Sequence, residues 1–431
     1  MDKITISGGN KIDGEVYISG AKNAALPLMA ASLLTDEEIK LSNVPFLSDI
    51  TTMANLLVSI GTGLLVYESK AKDFGGRTLS LTTNEIKETK APYNIVRKMR
   101  ASVIVLGPLL ARNGEAEISL PGGCAIGTRP IDLHLSGFEK MGVKIKLKDG
   151  YIKAKINGKL KGADIDFSTV SVGATENIIL AATLAEGITN ISNAAKEPEI
   201  IDLCNCLNQM GAEISGIGTS NIKIIGKERL NGTEYKVMPD RIEAGTYAIA
   251  AAITKGNILL KNINSEIMQS TLNLLEKTGS EITIDDEENT IHISADKNIK
   301  PIDIETAPYP DFPTDMQAQF TALMCFADGI SHITENIFEN RFMHVAELQR
   351  MGADIVTNGK TITITGKKKL TGAEVMATDL RASVSLVLAA LAIKGETTIR
   401  RVYHIDRGYE RIEEKLSACG ANITRTKALN V

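Results

Sequence analysis

The segment from Leu120 to Asp132, LPGGCAIGTRPID, carries the residue types best suited to chemistry. Gly122 and Gly123 permit a sharp, mobile turn that exposes Cys124, and Arg129 follows five residues later. A thiol near a guanidinium in a partly exposed loop is typical of a reactive cysteine. A turn that contains an incidental cysteine has the same sequence, so these residues alone leave both interpretations open.

The other four cysteines are predicted to be core residues. Cys204, Cys206, Cys325 and Cys419 all fall in predicted helices among apolar neighbours, where a free cysteine behaves as a small hydrophobic residue. Neither histidine nor a second cysteine pair stands near Cys204 and Cys206 at zinc spacing, so no metal site is predicted. Five cysteines spread thinly over 431 residues favour a reducing cytoplasm.

Lys22 and Asn23 stand just before a predicted buried helix. Lys22 could bring its charge to an anion bound at the helix N-terminus, where backbone N–H groups point outward. A solvated lysine at a helix start is the alternative, and the residues do not choose between them. The chain contains no GxxxxGK[ST] motif, and no GxGxxG motif follows a strand, which disfavours ATP-type phosphate binding and a Rossmann dinucleotide site.

Asp315 lies in the segment 308–320, PYPDFPTDMQAQF. The run from Thr314 to Gln317 predicts a capping box ahead of a buried helix, which would give Asp315 a structural role in the first turn. The three prolines before it make a stiff approach that could instead hold a carboxylate as a general base.

Several arginines stand at predicted helix starts or in loops. If the loops that carry them face one cleft, their guanidiniums converge and suit phosphates and carboxylates through bidentate hydrogen bonds. This pattern indicates a small substrate with several negative charges. The arginines are Arg97, Arg100, Arg341, Arg381 and Arg407.

A repeat positions these loops. An amphipathic run, a glycine and an alternating apolar run recur about every 70 residues, at Gly61, Gly142, Gly211, Gly279, Gly352 and Gly420. Each glycine is predicted to end a helix and the run after it to form a strand. Each unit is therefore predicted as buried helix, strand, connecting loop, surface helix, glycine and strand. Six units grouped three and three predict two similar α/β domains with a cleft between them, and the best candidate linker is 238–240.

Composition excludes several other classes of protein. The charge sum is 48 − 52 = −4, and with 4% aromatic residues and no Trp it disfavours a nucleic-acid surface. The longest apolar stretch, 384–393, is too short to cross a bilayer, and the first residues lack a secretory signal pattern. A soluble cytoplasmic protein is expected, with no membrane partner.

With these residues identified, the chain resembles the family of UDP-N-acetylglucosamine 1-carboxyvinyltransferases, enolpyruvyl transferases of the EPSP synthase superfamily. The resemblance covers essentially the whole length and runs through many motifs in the same order. They are SGAKNAALP, RKMRAS, LPGGCAIGTRPIDLH, SVGATENI, NAAKEPEI, MPDRIEAGTY, PTDMQAQF, ENRFMHV, DLRAS and YHIDRGYERIE.

The resemblance implies a fold of two inside-out α/β barrel-like domains, each of three repeated units, with the active site in the cleft between them. Residues 22–238 would form the domain with the mobile cysteine loop, and residues 1–21 plus 239–431 the other. The implied reaction transfers enolpyruvyl from phosphoenolpyruvate to the 3-hydroxyl of UDP-N-acetylglucosamine with release of phosphate, the first committed step of peptidoglycan biosynthesis. It needs neither a cofactor nor a metal, and the oligomeric state is left open.

The resemblance also assigns roles to single residues. Cys124 matches the cysteine that fosfomycin alkylates; it would donate a proton to the methylene carbon of phosphoenolpyruvate or assist product release. Asp315 matches the base that takes the sugar hydroxyl proton. The residues that match contacts with phosphoenolpyruvate are Lys22, Asn23, Arg129, Arg341, Arg381 and Arg407.

A second set of residues matches contacts with the nucleotide sugar. These are Arg100, Arg129, Pro130, Ile131, Asp132, Leu133, Ser171, Val172, Gly173, Asp315 and Ile337. Thr169 departs from the pattern, because some relatives carry lysine there, and this puts one contact with the nucleotide in doubt.

Three other functions fit the sequence less well. The shikimate-pathway enolpyruvyl transferase shares the scaffold but lacks the PGGCAIG loop. A catalytically silent paralogue that only binds UDP-sugar is disfavoured by intact Cys124, Asp315, Lys22 and Arg407. An RNA-end-processing cyclase is disfavoured by the acidic net charge.

Overall fold

A computed structural model describes residues 2–68, 76–120, 131–366 and 369–427 of the chain. Its strands, in chain order, are β1 (Lys3–Gly8), β2 (Asp13–Tyr17), β3 (Ile39–Val44), β4 (Gly63–Glu68), β5 (Arg77–Thr82), β6 (Lys90–Ala91), β7 (Glu115–Ser119), β8 (Lys144–Lys148), β9 (Tyr151–Lys155), β10 (Asp164–Asp166), β11 (Ile188–Ser192), β12 (Glu213–Ser215), β13 (Asn221–Ile225), β14 (Thr233–Lys236), β15 (Asn257–Lys261), β16 (Glu281–Asp285), β17 (Thr290–Ser294), β18 (Ile304–Glu305), β19 (Ile330–Thr334), β20 (Asp354–Asn358), β21 (Thr361–Thr365), β22 (Glu374–Met376), β23 (Gly395–Arg400) and β24 (Asn422–Thr426).

Helices alternate with these strands along the chain. The α-helices are α1 (Lys22–Ala31), α2 (Ser48–Ile60), α3 (Tyr93–Val96), α4 (Leu106–Asn113), α5 (Asp132–Lys140), α6 (Val172–Ala182), α7 (Pro198–Gln209), α8 (Arg241–Thr254), α9 (Gln269–Thr278), α10 (Gln317–Met324), α11 (Met343–Arg350), α12 (Leu380–Ala392) and α13 (Ile412–Ala418). Short 3₁₀ helices lie at Ser32–Leu34, Arg100–Val105, Ser265–Met268, Thr314–Met316 and Val402–Arg407.

The chain folds into two compact units. The described residues of one unit lie within 2–19 and 239–427, and those of the other lie within 20–120 and 131–238. Each unit has its own hydrophobic core. One core is built from residues within 4–18 and 242–423, and the other from residues within 21–237.

The strands of the described residues form six sheets of four strands each, and all six sheets share one topology. In each sheet the first strand runs parallel to the second, and the remaining neighbours are antiparallel. In strand order the sheets are β14-β3-β5-β4, β6-β7-β9-β8 and β10-β11-β13-β12 in one unit, and β2-β15-β17-β16, β18-β19-β21-β20 and β22-β23-β1-β24 in the other.

The N-terminal strands complete two sheets of the unit that is otherwise built from residues 239–427. Strand β1 inserts between β23 and β24, where Ile4 pairs with Ile399 on one side and with Arg425 on the other. Strand β2 runs parallel to β15. These contacts bury Ile4 and Ile6 and bind the first residues to the end of the chain.

Six helices are buried inside the two units, as the apolar residues on nearly every side predict. They are α1, α4 and α6 in one unit and α8, α10 and α12 in the other. Helix α12 is buried from Arg381 to Leu391 and contacts both α8 and α10. Among the described residues, every helix is too short or too polar to traverse a lipid bilayer.

The glycine stops are confirmed. Each repeat glycine comes directly after a surface helix or its capping residue, and its own φ is positive. The values are 128° at Gly61, 94° at Gly142, 97° at Gly211, 104° at Gly279, 94° at Gly352 and 91° at Gly420. Only glycine adopts this region without steric cost, so the helix ends there and the next strand begins.

The predicted order of elements was incomplete. The structure adds a hairpin partner after most repeat strands, such as β17 after β16 and β21 after β20, and a short parallel strand at the sheet edge, such as β18. The hairpin partners alternate apolar and polar residues as the predicted strands do. The short strands have two to four residues in five of the six sheets, which is too few for a periodicity to show.

Candidate active site

Asp315 lies between two guanidiniums in the unit of residues 2–19 and 239–427. Nη2 of Arg341 donates to its Oδ1 over 2.5 Å, and Nη2 of Arg381 donates to its Oδ2 over 3.1 Å. Both arginines are buried, at 6% and 4% exposure. The structure therefore brings together three residues that the sequence selected in separate motifs.

Three elements position this cluster. Asp315 belongs to the 3₁₀ turn ahead of α10, and Arg341 lies two residues before α11. Arg381 is in the first turn of α12, whose N-terminus is capped by Asp379 through the backbone N–H groups of residues 381 and 382. Each of the three residues thus lies at or just before the start of a helix.

The electrostatics of the cluster suit an additional anion. Burial opposes the charge of Arg381, but the carboxylate of Asp315 and the hydroxyl of Tyr409 outweigh it, so the pKa of Arg381 lies above its ordinary value. Two guanidiniums face one carboxylate, and their planar donors match a second carboxylate or a phosphate.

The predicted capping box is wrong. The residue before the 3₁₀ turn is Pro313, and no side chain caps the turn. The hydroxyl of Thr314 instead donates to Oε2 of Glu335 over 2.7 Å and accepts from Nη1 of Arg341 over 2.9 Å. Both amide atoms of Gln317 are buried, with no hydrogen-bond partner among the described residues. Thr314 therefore belongs to the group of Asp315, Arg341 and Arg381, which we call the arginine cluster.

Tyr409 and Gln319 form a second, buried group of polar side chains in contact with Arg381 and Asp315. The Tyr409 hydroxyl lies 3.4 Å from Nη1 of Arg381, 3.3 Å from Nε2 of Gln319 and 3.0 Å from Oγ1 of Thr246. Nε2 of Gln319 also donates to the backbone oxygen of Asp315 over 2.9 Å. This buried group fixes the backbone of Asp315 and one side of Arg381.

Arg407 ends the 3₁₀ helix Val402–Arg407, which contacts α12. Its neighbour Asp406 receives two hydrogen bonds of 2.7 Å from Arg425 in β24, which hold this segment to the sheet. Burial, and then the charge of Arg407, lowers the pKa of His404.

Ile337, in the same unit, follows β19. Its backbone N–H donates to Oε1 of Glu335 over 2.8 Å.

Lys22 and Asn23 begin α1 in the other unit. Lys22 is 8% exposed, so the alternative of a solvated lysine is wrong. Its Nζ lies 3.2 Å from Oδ2 of Asp49 in α2, and that carboxylate is 4% exposed. Asn23 is exposed. A buried ammonium held by a carboxylate at a helix start keeps its charge in place for an anion.

Six of the residues predicted to contact the nucleotide sugar lie at the starts of α5 and α6. Ile131, Asp132 and Leu133 open α5, whereas Ser171 caps α6 and Val172 and Gly173 form its first turn. The two helices contact each other. A Cβ at position 173 would lie 3.5 Å from Nε2 of His134, so a glycine keeps that ring edge open.

His134 joins these segments and has a defined tautomer. Asn177 accepts from the backbone N–H of Gly107 over 2.7 Å with Oδ1, and donates with Nδ2 to the oxygen of Val103. The same Nδ2 lies 3.0 Å from Nδ1 of His134, so Nδ1 accepts and the neutral ring carries its hydrogen on Nε2. Burial lowers the pKa of His134 to about 4, and the charge of Arg100, which begins the 3₁₀ helix Arg100–Val105, acts in the same direction.

Some predicted residues lie outside the described residues, namely Cys124, Arg129 and Pro130. The core assignment of the other cysteines is confirmed, since Cys204, Cys206, Cys325 and Cys419 are buried free thiols. Cys325 and Cys419 follow the last residues of their helices rather than lying within them. Thr169 is exposed, two residues before the cap of α6.

Several side chains of these clusters were not selected from the sequence. Asp49, Glu335 and Tyr409 contact residues that lie 21 to 28 positions away, and no local spacing indicates such pairs. Some of the unselected side chains lie inside the motifs that carry the family resemblance, such as His134 in RPIDLH and Tyr409 in RGYE. Their position in these motifs was the signal that could have identified them. All the side chains that were not selected are Asp49, His134, Thr246, Thr314, Gln319, Glu335 and Tyr409.

Comparisons with known proteins agree with this architecture. The solved enolpyruvyl transferase NikO from Streptomyces tendae superposes with a TM-score of 0.87 at 23% identity, and each chain is covered to 99%. EPSP synthase from Acinetobacter baumannii gives a TM-score of 0.74 at 19% identity, over 99% of this chain and 100% of that chain. At these identities the two structures support the fold alone.

Sequence comparisons define the family. Residues 6–416 match the family model described as EPSP synthase (3-phosphoshikimate 1-carboxyvinyltransferase). A protein of Paramagnetospirillum magneticum named UDP-N-acetylglucosamine 1-carboxyvinyltransferase is 59% identical over 429 residues, 99% of each chain. One of the same name from Zymomonas mobilis is 56% identical over 426 residues, again 99% of each. The chain therefore belongs to the EPSP synthase family, in the group of UDP-N-acetylglucosamine 1-carboxyvinyltransferases.

Proposed function

We propose that this chain transfers the enolpyruvyl group of phosphoenolpyruvate to the 3-hydroxyl of UDP-N-acetylglucosamine and releases phosphate. One observation carries the proposal: the carboxylate of Asp315 lies between two buried guanidiniums in a chain whose nearly full-length relatives bear this enzyme's name. In this role the reaction is the first committed step of peptidoglycan biosynthesis.

Asp315 is the proposed base, and Arg341 and Arg381 are the proposed ligands of the enolpyruvyl carboxylate. A carboxylate that accepts from two guanidiniums is a poor proton acceptor, because its lone pairs are engaged. When the carboxylate of phosphoenolpyruvate takes these donors, the oxygens of Asp315 become available to the sugar hydroxyl. Binding of one substrate thus activates the base for the other.

The chemistry is an addition followed by an elimination. The sugar oxygen forms a bond to C2 of phosphoenolpyruvate as Asp315 takes the hydroxyl proton, and the methylene carbon C3 gains a proton. C3 then loses a proton, the C2–O bond to phosphate breaks, and the double bond returns. The acid at C3 is assigned to Cys124, and a role of that thiol in product release is the alternative.

The remaining cations neutralise phosphate. Lys22, Arg129 and Arg407 are proposed to bind the phosphate of phosphoenolpyruvate, and Asn23 to contact the reacting centre. Together the two substrates bring about five negative charges, which converging cations must offset before the hydroxyl can attack. Residues 22–238 and residues 1–21 plus 239–431 are the two proposed domains of this enzyme.

The nucleotide sugar is assigned to the helix starts of α5 and α6, with Arg100, Arg129, Pro130 and Ile337. The first turns of both helices present backbone N–H groups, and Nε2–H of His134 adds a further donor there. The buried free thiols are consistent with a cytoplasmic enzyme in a reducing compartment.

Phosphate release from phosphoenolpyruvate, measured with and without UDP-N-acetylglucosamine, tests the function. We expect release only when both substrates are present, with formation of the enolpyruvyl ether of the sugar nucleotide in equal amount. Tight binding of the sugar nucleotide without any phosphate release would contradict the proposal. Replacing the sugar nucleotide by shikimate 3-phosphate, the substrate of the related family members, should give no release.

A further inference from the structure

Glu335 is a buried carboxylate at the end of β19 whose hydrogen bonds reach the arginine cluster. It is 3% exposed. Its Oε1 accepts from Oγ1 of Thr306 over 2.9 Å and from the backbone N–H groups of Ile337 and Phe338 over 2.8 and 3.2 Å. Its Oε2 accepts from Oγ1 of Thr314 over 2.7 Å.

We infer that Glu335 is a positioning residue for Arg341 and acts through the hydroxyl of Thr314. This inference rests on the proposed function, in which Arg341 binds the carboxylate of phosphoenolpyruvate. The hydroxyl hydrogen of Thr314 is directed to Glu335, which leaves the lone pairs of its oxygen for Nη1 of Arg341, 2.9 Å away. A relay therefore runs from a fixed buried anion through a hydroxyl to the guanidinium.

The relay complements the direct ion pair with Asp315. Asp315 contacts Nη2 of Arg341, whereas Thr314 contacts Nη1 of the same guanidinium. The incoming carboxylate competes with Asp315 for the guanidinium. The Thr314 contact lies on the other nitrogen, so it holds the orientation of Arg341 while its partner changes.

Glu335→Gln separates the relay from a role in capping the loop. The two backbone N–H groups can only donate, so the oxygen of the introduced amide must stay on their side and its NH₂ group must face Thr314. The Thr314 oxygen then accepts from this NH₂ group with one of its two lone pairs, and its own hydrogen no longer has Glu335 as acceptor. Without the anion that orients the hydroxyl, the contact between Thr314 and Arg341 is weakened, although the loop keeps its cap.

We expect Glu335→Gln to raise the KM for phosphoenolpyruvate severalfold, up to the factor of about ten that corresponds to one hydrogen bond to a charged group. The KM for UDP-N-acetylglucosamine should change less than about twofold, because the N–H of Ile337 keeps its acceptor. Thr314→Val should likewise raise the KM for phosphoenolpyruvate and leave the KM for UDP-N-acetylglucosamine nearly unchanged. Thr314→Ser, which retains the hydroxyl, should have KM values close to those of the wild type.

The double variant Glu335→Gln with Thr314→Val tests whether the two residues act in series. We expect its KM for phosphoenolpyruvate to equal that of Thr314→Val, since without the hydroxyl Glu335 has no path to Arg341. Multiplication of the two single effects would overturn the relay.

Glu347→Gln is the matched control. Glu347 also accepts a hydrogen bond from a backbone N–H, that of Met376 over 2.9 Å, in the same unit. We expect this variant to keep wild-type kinetics.

The outcomes separate the inference from the function on which it rests. If wild type releases no phosphate, the proposed function fails. If wild type is active and Glu335→Gln behaves like Glu347→Gln, or raises both KM values alike, the inference fails and the function stands.

Discussion

Nη2 of Arg381 donates to Oδ2 of Asp315 over 3.1 Å, so a proposed ligand of the substrate carboxylate binds the proposed base directly. Arg341 binds the other oxygen of the same carboxylate. In the proposed mechanism, Asp315 therefore holds the place that the substrate carboxylate would take on either guanidinium. It follows that affinity for phosphoenolpyruvate and basicity of Asp315 are coupled through these two arginines.

Replacing Asp315 by Asn should separate turnover from binding. The amide cannot take the hydroxyl proton, so we expect kcat to fall at least about a hundredfold. The KM for phosphoenolpyruvate should not rise, because both guanidiniums lose an anionic competitor. Steady-state kinetics and calorimetric titration with phosphoenolpyruvate measure the two effects. Asp311→Asn, at an exposed position four residues earlier, is the control, and a kcat near wild type in Asp315→Asn would remove the base assignment.

Tyr409→Phe removes a hydroxyl that contacts Arg381, Gln319 and Thr246. We expect the KM for phosphoenolpyruvate to rise about three- to tenfold and the free energy of unfolding to fall by about 1 to 2 kcal/mol, as for a buried hydrogen-bond network that loses one member. Kinetics and urea unfolding of the purified variant measure both.

Tyr247→Phe is the matched control for that variant. The Tyr247 hydroxyl is buried as well, but it has no hydrogen-bond partner among the described residues. Its removal should leave kinetics unchanged and leave the free energy of unfolding equal or higher, since an unsatisfied buried hydroxyl is costly. Equal destabilisation by both substitutions would show that ring packing, not the hydroxyl of Tyr409, accounts for the effect.

Local chemistry explains which parts of the fold could be predicted. Gly142 and Gly352 end helices because their own backbone angles allow it, and α8 and α12 are buried because apolar residues surround them. Neither property depends on distant residues. The N-terminal strand β1, in contrast, pairs with β23 and β24 at the far end of the chain, and only the family resemblance pointed to that placement.

The same distinction applies to the candidate site. Its charged residues stood out in the sequence, but their partners did not. Asp49 meets Lys22 and Tyr409 meets Arg381 only after folding, and Glu335 reaches the cluster only through Thr314. Thr314 shows how a local rule fails. A hydroxyl at that spacing usually caps a helix, yet here its oxygen accepts from a guanidinium, and a charged donor forms the stronger hydrogen bond.

Alkylation by an epoxide such as fosfomycin should modify Cys124 alone. Burial raises the pKa of Cys204, Cys206 and Cys325 to about 12 and that of Cys419 to about 11, so these thiols carry almost no thiolate at neutral pH. Peptide mass spectrometry should find one adduct in the native protein, none in Cys124→Ser and several after unfolding. The serine variant should still bind the sugar nucleotide. An adduct on any of the four buried cysteines in native protein would contradict this assignment.

Acid should destabilise the unit that contains His134. Its pKa is about 4 in the folded chain and about 6.5 when unfolded, so between these values the unfolded chain binds more protons. The stabilisation is therefore complete above about pH 6.5 and is lost as the pH falls toward 4. From pH 7 to pH 5 the loss due to this one group is about 2 kcal/mol.

Other groups titrate in the same pH range, among them Asp202, because burial raises its pKa to about 7. Comparing the wild type with His134→Gln isolates the contribution of His134 from theirs. The variant is less stable than wild type at pH 7, because it lacks the ring that accepts from Asn177, and the difference should shrink by about 2 kcal/mol at pH 5. Urea unfolding at the two pH values measures it. His332→Gln, at an exposed position in the other unit, controls for loss of a histidine. A difference between wild type and His134→Gln that stays constant with pH would mean that His134 is not buried in its neutral form, and the tautomer that presents Nε2–H beside Gly173 would no longer follow.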